Sequence, residues 1–355
     1  MADNSKRRRI DLQAWALEAA RTDTRADIRR QIMRRAITFD ALSRRCQIEE
    51  ALARELVGEL QRSGYAIHIS GETVWMEPGQ IPPAAPNAGH RWVGSVYRFG
   101  VISDTHYGSK YAREDVAEDL YDWFQTEGIE RVYHAGNYIE GEARFNRFDL
   151  IEQAHGMQSQ LNYFAENYPK RKGITTYLVS GDDHEGWYCQ REGVNIGQMM
   201  EDTAQRMGRS DLKDLGYIEA FTVLQHSESG KRARLMTMHP GGGSAYATSY
   251  APQKIIEAFQ PGEKPAVAIF GHYHKMEYVQ IRGVHAIQAG CTKDLDPFGR
   301  KKRLSYHVGG AIIELRQLPD GTIQDCICWF RQYHDRSYVN DQFSHSHQPT
   351  RKKSK

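Results

Sequence analysis

The chain has 355 residues, 40% of them hydrophobic, enough for more than one domain with a sizeable core. Lys plus Arg (47) nearly balance Asp plus Glu (45), so the net charge of +2 selects neither nucleic acid nor an acidic partner, and only local clustering can. Five scattered cysteines argue against a disulfide scaffold, no apolar run approaches the ~20 residues of a membrane span, and the first residues lack the apolar stretch of a signal peptide, so the expectation is a soluble cytoplasmic protein without membrane contact.

The N-terminal quarter reads as helices followed by a hairpin. Residues 1–24 form a basic extension that includes Arg7 to Arg9. From Ala26 to Ala36, Ile28, Ile32 and Met33 recur at helical spacing among Arg29, Arg30, Arg34 and Arg35. Thr38 offers an N-cap to a short helix, and a second helix runs from Glu49 to Ser63 with Leu52, Leu56, Val57 and Leu60 on one stripe before Gly64 stops it. Tyr65–Ser70 and Thr73–Met76 around a Gly71-Glu72 turn predict a β-hairpin. Three helices and a hairpin over 25–78 resemble a winged helix-turn-helix. Its second helix carries Glu49, Glu50, Glu55 and Glu59 against Arg54 and Arg62, a poor surface for a DNA groove, so docking of protein competes evenly with contact to nucleic acid. A Pro-rich spacer over 79–96 follows.

Downstream, strands and helices alternate. Phe99–Ser103 precedes a helix near Glu114–Thr126, Arg131–His134 precedes a helix near Asp149–Asn167, and Ile174–Val179 leads into the loop Gly181–Gly186. Phe221–His226 and Arg234–Met238 flank a hairpin turn, and further strands are expected at Ala266–Phe270, Val284–Ala289, Ala311–Glu314 and Cys326–Phe330, with Cys326 and Cys328 on one strand face. Alternation first and β-richness later predict a two-sheet β-sandwich flanked by helices over 97–334. Residues 335–355 read as a basic, disordered tail, in which His345 and His347 carry no catalytic meaning.

Five motifs punctuate this second part: Ser103-Asp104-Thr105-His106, Gly136-Asn137, Gly181-Asp182-Asp183-His184-Glu185, Met238-His239-Pro240-Gly241 and Gly271-His272-Tyr273-His274. Carboxylate, amide and imidazole donors stand where strands end in loops, as in the metal and ligand sites of α/β proteins. Their order and residue types resemble the calcineurin-like metallophosphoesterase superfamily, from about Tyr97 to Glu314. That resemblance implies hydrolysis of phosphate esters at two divalent metals, which acidify a bound water toward pKa ~7 and clamp phosphoryl oxygens from ~3.5 to 4 Å apart. It also implies ligand roles: Asp104, His106 and His274 for one ion, His239, His272 and an acid of the third motif for the other, and Asn137 touching both. Mn is the favoured metal, with Zn, Fe, Ni or Mg as alternatives.

The resemblance places His184 at the phosphate as the catalytic group, with Glu185 orienting it and Glu140 behind the ligands. The chain departs from the usual pattern by exchanging the amide and the acid: Asn137 stands where the family has Asp, and Asp183, preceded by the additional Asp182, where it has Asn. Asp183 is favoured as ligand for its place next to His184, and Asp182 is the alternative. Arg300, Lys301, Lys302 and Arg303 form a charge run that reads as either a solvated loop or a path for a polyanion. Tyr246 and Tyr250 read as core residues before base-stacking ones. The leading function is a phosphodiesterase or nuclease whose partner is DNA or RNA. The alternatives are a phosphomonoesterase, disfavoured because Glu140-Gly141-Glu142 replaces an Asp-Arg-Gly continuation, and a nucleic-acid-binding regulator with a decayed metal site.

Overall fold

The structure, a computed structural model, describes residues 24, 27–28, 31–32, 35–62, 67–76, 90–243, 247–259 and 262–334. Arg7 to Arg9, Arg29, Arg30, Arg34, the Pro-rich segment 81–89, Tyr246 and the tail with His345 and His347 lie outside the described residues. The chain divides into two compact units, Met1–Pro82 with Gly193–Asn195, and Pro83–Glu192 with Ile196–Lys355.

In the first unit, strand β1 (Ile37–Thr38) leads into helix α1 (Phe39–Cys46), whose first turn is capped by the Thr38 side chain accepting from the Ala41 N–H at 3.3 Å. Helix α2 (Glu50–Arg62) and the hairpin β2 (Ile67–Ser70) and β3 (Thr73–Met76) follow. Strand β3 lies between β1 and β2 in one antiparallel sheet. Ile28, Ile32, Phe39, Leu42, Leu56, Val57, Val74 and Met76 share one apolar core. Helical spacing on α2 and period-two alternation on β3 aim them at it.

The second unit is the expected sandwich. One sheet runs β15 (Ile323–Tyr333), β14 (Val308–Gln317), β5 (Val96–Ile102), β6 (Arg131–His134), β7 (Thr175–Ser180), β8 (Leu212–Tyr217). The other runs β12 (Met276–Ile281), β13 (Val284–Ala289), β11 (Val267–Phe270), β10 (Arg232–Met238), β9 (Glu219–His226), β4 (Arg91–Gly94). Tyr97, Phe99, Val101, Tyr133 and Ile313 from the first sheet meet Leu224, Leu235, Ile269 and Ile287 from the second in a single core. Helix α3 (Glu114–Thr126) buries Val116, Ala117, Leu120, Tyr121 and Phe124 at helical spacing against β14. Each large apolar side chain so buried contributes roughly 1.5–3 kcal/mol. Helices α4 (Met157–Asn167) and α6 (Ile196–Arg206) pack together, α6 also against β8, while α5 (Gly186–Glu192) follows the third motif and Ile256 of α7 (Tyr250–Ala258) joins a cluster on the second sheet.

Three expectations are corrected. Residues 91–94, assigned to the spacer, form β4 parallel to β9. The single helix over Asp149–Asn167 is two short 3-10 turns, Arg147–Asp149 and Glu152–Ala154, and then α4, because Gly156 at φ +85° breaks the run. Tyr250 is not a core residue but 55% exposed at the start of α7.

Candidate metal centre

Five strands carry the motifs, and each delivers its loop from its carboxyl end. Strands β5, β6 and β7 run parallel in one sheet and β10 and β11 run parallel in the other, so Asp104 and His106, Asn137, Asp183, His239, and His272 and His274 emerge at one edge of the sandwich. The loops are drawn tightly together. A Cβ on Gly271 would lie 2.0 Å from the Ala135 carbonyl oxygen and 2.3 Å from Ser103 Oγ, and one on Gly136 would lie 2.3 Å from the His239 ring. Asp104, His106, Asn137, His184, His272 and His274 all adopt left-handed φ between +49° and +74°. That conformation costs a non-glycine residue about 1 kcal/mol or more and persists where the surroundings over-determine it. His272 and His274 therefore stand in a bend of the chain and not in an extended segment.

The donor atoms converge in two groups. Asp104, His106 and His274 form one; Asp183, His239 and His272 form the other. His274 Nε2 lies 3.2 Å, His106 Nε2 3.9 Å and His239 Nε2 4.0 Å from the same Asp104 oxygen, Oδ1. Asp183 reaches His239 Nε2 with Oδ1 and His272 Nδ1 with Oδ2, both at 3.3 Å. Asn137 sits between the groups, its Nδ2 3.3 Å from Asp104 Oδ1. Buried His106 Nε2, Asn137 Oδ1, Asp183 Oδ1, His239 Nε2 and His272 Nδ1 have no hydrogen-bond partner. Leaving His106 Nε2 and Asn137 Oδ1 unsatisfied costs roughly 1–3 kcal/mol each, whereas a divalent cation satisfies these and the Asp183, His239 and His272 atoms at once. The donor set, imidazole and carboxylate, suits such an ion.

The opposite edges of the rings are already committed. His239 Nδ1 lies 2.5 Å from the Ala135 carbonyl, His106 Nδ1 2.9 Å from Glu140 Oε2, and His272 Nε2 2.7 Å from the Gly242 carbonyl. These contacts orient the free nitrogens inward. Glu140, expected behind the ligands, is itself held by Lys293 Nζ at 3.0 Å, and Lys293 also reaches Asp296 at 2.8 Å. His106, Glu140 and His184 also lie within reach of one another. Their hydrogen bonds make that group a brace behind the site.

Asp182 and Asp183 separate cleanly. Asp182 Oδ1 accepts from Tyr217 at 2.5 Å and from Gln190 at 2.9 Å, away from the histidines, whereas Asp183 faces them. His184 Nδ1 lies 2.6 Å from the Glu140 carbonyl, and its ring stacks on Trp187 at 4.7 Å. Glu185 does not orient His184. Its Oε1 accepts the backbone N–H groups of Asn137 at 2.9 Å and Gly181 at 2.7 Å, tying two motif loops together.

The electrostatics favour positive charge in one place. Burial opposes ionisation of Asp104, but His274 and His239 outweigh it and hold the carboxyl well below its usual range. Asp183 is lowered likewise, burial again being outweighed, here by His239 and His272. Burial works against a proton on His239, yet Asp104 and Asp183 raise it to about 9. Burial, then Lys293, lowers His106 to about 3, and burial raises Glu185 to about 8. Carboxylates that retain a proton on one imidazole attract a metal cation by the same field.

Sequence reasoning missed Lys293 and Trp187. Lys293 had no signal, since a buried cation 153 positions from its acid shows no local pattern. Trp187 had one: it stands three residues after His184, where side chains at a helix start meet. Arg300, Lys301 and Lys302 occupy the last turn of a six-residue helix, α8 (Pro297–Lys302), and Arg303 caps it. All four are exposed, and cations at that end complement the helix dipole.

No protein-family model matches the chain, and no curated protein sequence matches it. Solved structures to which it is similar include an archaeal phosphodiesterase, at 14% identity and TM-score 0.34 over 66% of this chain and 100% of that one. Zinc-complexed Vps29 from Entamoeba histolytica gives 14% identity and TM-score 0.30 over 66% and 99%. A putative 5'-nucleotidase from Staphylococcus aureus gives 11% identity and TM-score 0.36 over 71% and 57%. Likeness at that level says nothing of the chemistry, which rests on the side chains above.

Proposed function

We propose that this chain is a metal-dependent phosphoesterase whose substrate is a phosphodiester of nucleic acid. The observation that carries it is the convergence of imidazole, carboxylate and amide donor atoms from five loops, five of them buried without a hydrogen bond, beside a histidine, His184, that belongs to neither of the two donor groups. Asp104, His106 and His274 would hold one divalent ion and Asp183, His239 and His272 a second, with Asn137 offering its amide oxygen between them. Bound ions neutralise phosphate charge and make water acidic enough to attack near neutral pH.

The residues of the chain do the rest. The Glu140 carbonyl holds His184 Nδ1, so the second nitrogen, Nε2, is the one that handles a proton. As the phosphorus–oxygen bond to the leaving group breaks, Nε2 delivers a proton to that oxygen. The winged-helix reading of the first unit belongs to the same proposal, as a module that docks nucleic acid or a protein. There Glu50 is paired with Arg54, which tempers the acidic face of α2.

Hydrolysis of bis(p-nitrophenyl) phosphate against p-nitrophenyl phosphate, each with Mn, Zn, Ni and Mg, is the direct test. The diester should be cleaved faster. Monoester preference would make the chain a phosphomonoesterase, and no turnover of either with any ion would leave a decayed site.

A further inference from the structure

A row of rings runs from the metal cluster to the surface. His106 meets His184 edge-on with centroids 4.4 Å apart, His184 stacks on Trp187, and Trp187 meets Phe145 edge-on at 5.4 Å. At the outer end Phe145 is 66% exposed, and Phe148, three residues on, is 62% exposed. Single exposed apolar residues need no explanation, but two large exposed rings three residues apart, one of them packed on the Trp187 that stacks on His184, do. They belong to Arg144-Phe145-Asn146-Arg147-Phe148, an interleaving of cation and aromatic in which both arginines are also exposed.

The segment is fixed in place. The Ala143 N–H donates to Asn146 Oδ1 at 2.8 Å, and Asn146 Nδ2 donates to Glu140 Oε1 at 3.2 Å. Glu142 is buried and accepts from Arg147 at 2.7 Å and from the Gly156 N–H at 2.5 Å, while Arg191 holds the Glu142 carbonyl at 3.0 Å. The Phe145 ring is therefore presented by ordered backbone, and a ligand stacking on it pays little for ordering.

We propose that Phe145 stacks on an unpaired nucleobase of the strand whose scissile phosphate occupies the metal cluster, an inference that rests on the phosphodiesterase reading. Trp187 is the positioning residue between His184 and Phe145. Every base has a π-face, so such a contact is sequence-tolerant, and the exposed Arg144 supplies charge for a neighbouring phosphate, Arg147 being committed to Glu142. A base inside a duplex has both faces covered, so the contact selects single-stranded or flipped-out nucleotides over intact duplex.

The test compares thymidylyl-thymidine with a counterpart whose leaving-side residue is abasic, using full-length Mn-loaded protein. The base-bearing diester should be favoured about tenfold in kcat/KM, through KM. Phe145→Ala should bring that ratio near one, and Phe145→Trp should keep it. The same ratio in Phe145→Ala as in the unmutated chain would overturn the stack while leaving the phosphodiesterase reading intact. If no diester is cleaved with any divalent ion, that reading falls by itself, and titration of the dinucleotide followed by tryptophan fluorescence decides the stack. A Kd about tenfold weaker in Phe145→Ala supports it; an equal Kd, or no binding, overturns it.

Discussion

His184 differs from the other site histidines in what its ring touches. The imidazoles of His106, His239, His272 and His274, the candidate ligands, each turn a nitrogen toward Asp104 or Asp183, whereas His184 is clamped between the Glu140 carbonyl and Trp187. His184→Ala should therefore lower kcat by about 100-fold or more while bound metal, measured by elemental analysis, stays unchanged. Loss of metal together with activity would place His184 among the ligands. At this scale most of the site was legible, because Asp104, His106, Asn137, His239, His272 and His274 sit in short motifs after strand-like runs. The choice between Asp182 and Asp183 was not, since adjacent acids look alike until Tyr217 claims one of them. The supposed Glu185–His184 contact failed for a related reason: neighbours in sequence point to different partners in a turn.

At the scale of elements, strands that carry motifs were read well, since their β-branched runs end in recognisable loops. Strand β8 and helix α6 were missed, and their pairing hides a titratable group. Asp214 on β8 is half-buried; desolvation first, opposed by the Gly216 N–H and aided by the charge of Glu201, raises its carboxyl from 3.8 to about 6. The folded state keeps that proton while the unfolded chain releases it from about pH 4. Stability is thus present at low pH and lost as pH rises from about 4 to 6, by up to about 3 kcal/mol, and then stays level. Asp214→Asn should remove this loss. Urea midpoints should show the variant gaining at pH 7.5 relative to the unmutated chain and not at pH 4; equal midpoints at both would mean Asp214 ionises normally. The missed breaks have local causes too: Gly156 interrupts one predicted helix just before α4 begins, and β4 forms because β9 offers an edge that composition cannot reveal.

At the scale of the whole molecule, the two sheets converge at one edge, and candidate ligands separated by up to 170 positions meet there only because three parallel strands of one sheet and two of the other end together. Sequence reading reached the sandwich through motif order and strand spacing; it did not reach the aromatic row out to Phe145, which exists only in three dimensions. The central claim is that this edge binds divalent metal and that the bound metal makes the chain a diesterase. Titrating Mn into the chelator-stripped full-length protein, following bound metal and bis(p-nitrophenyl) phosphate cleavage together, tests it most directly. No cleavage should occur in the stripped protein, cleavage should rise with bound Mn, and Asp104→Asn should abolish both binding and turnover. Cleavage by the stripped protein, or undiminished turnover in Asp104→Asn, would contradict the account.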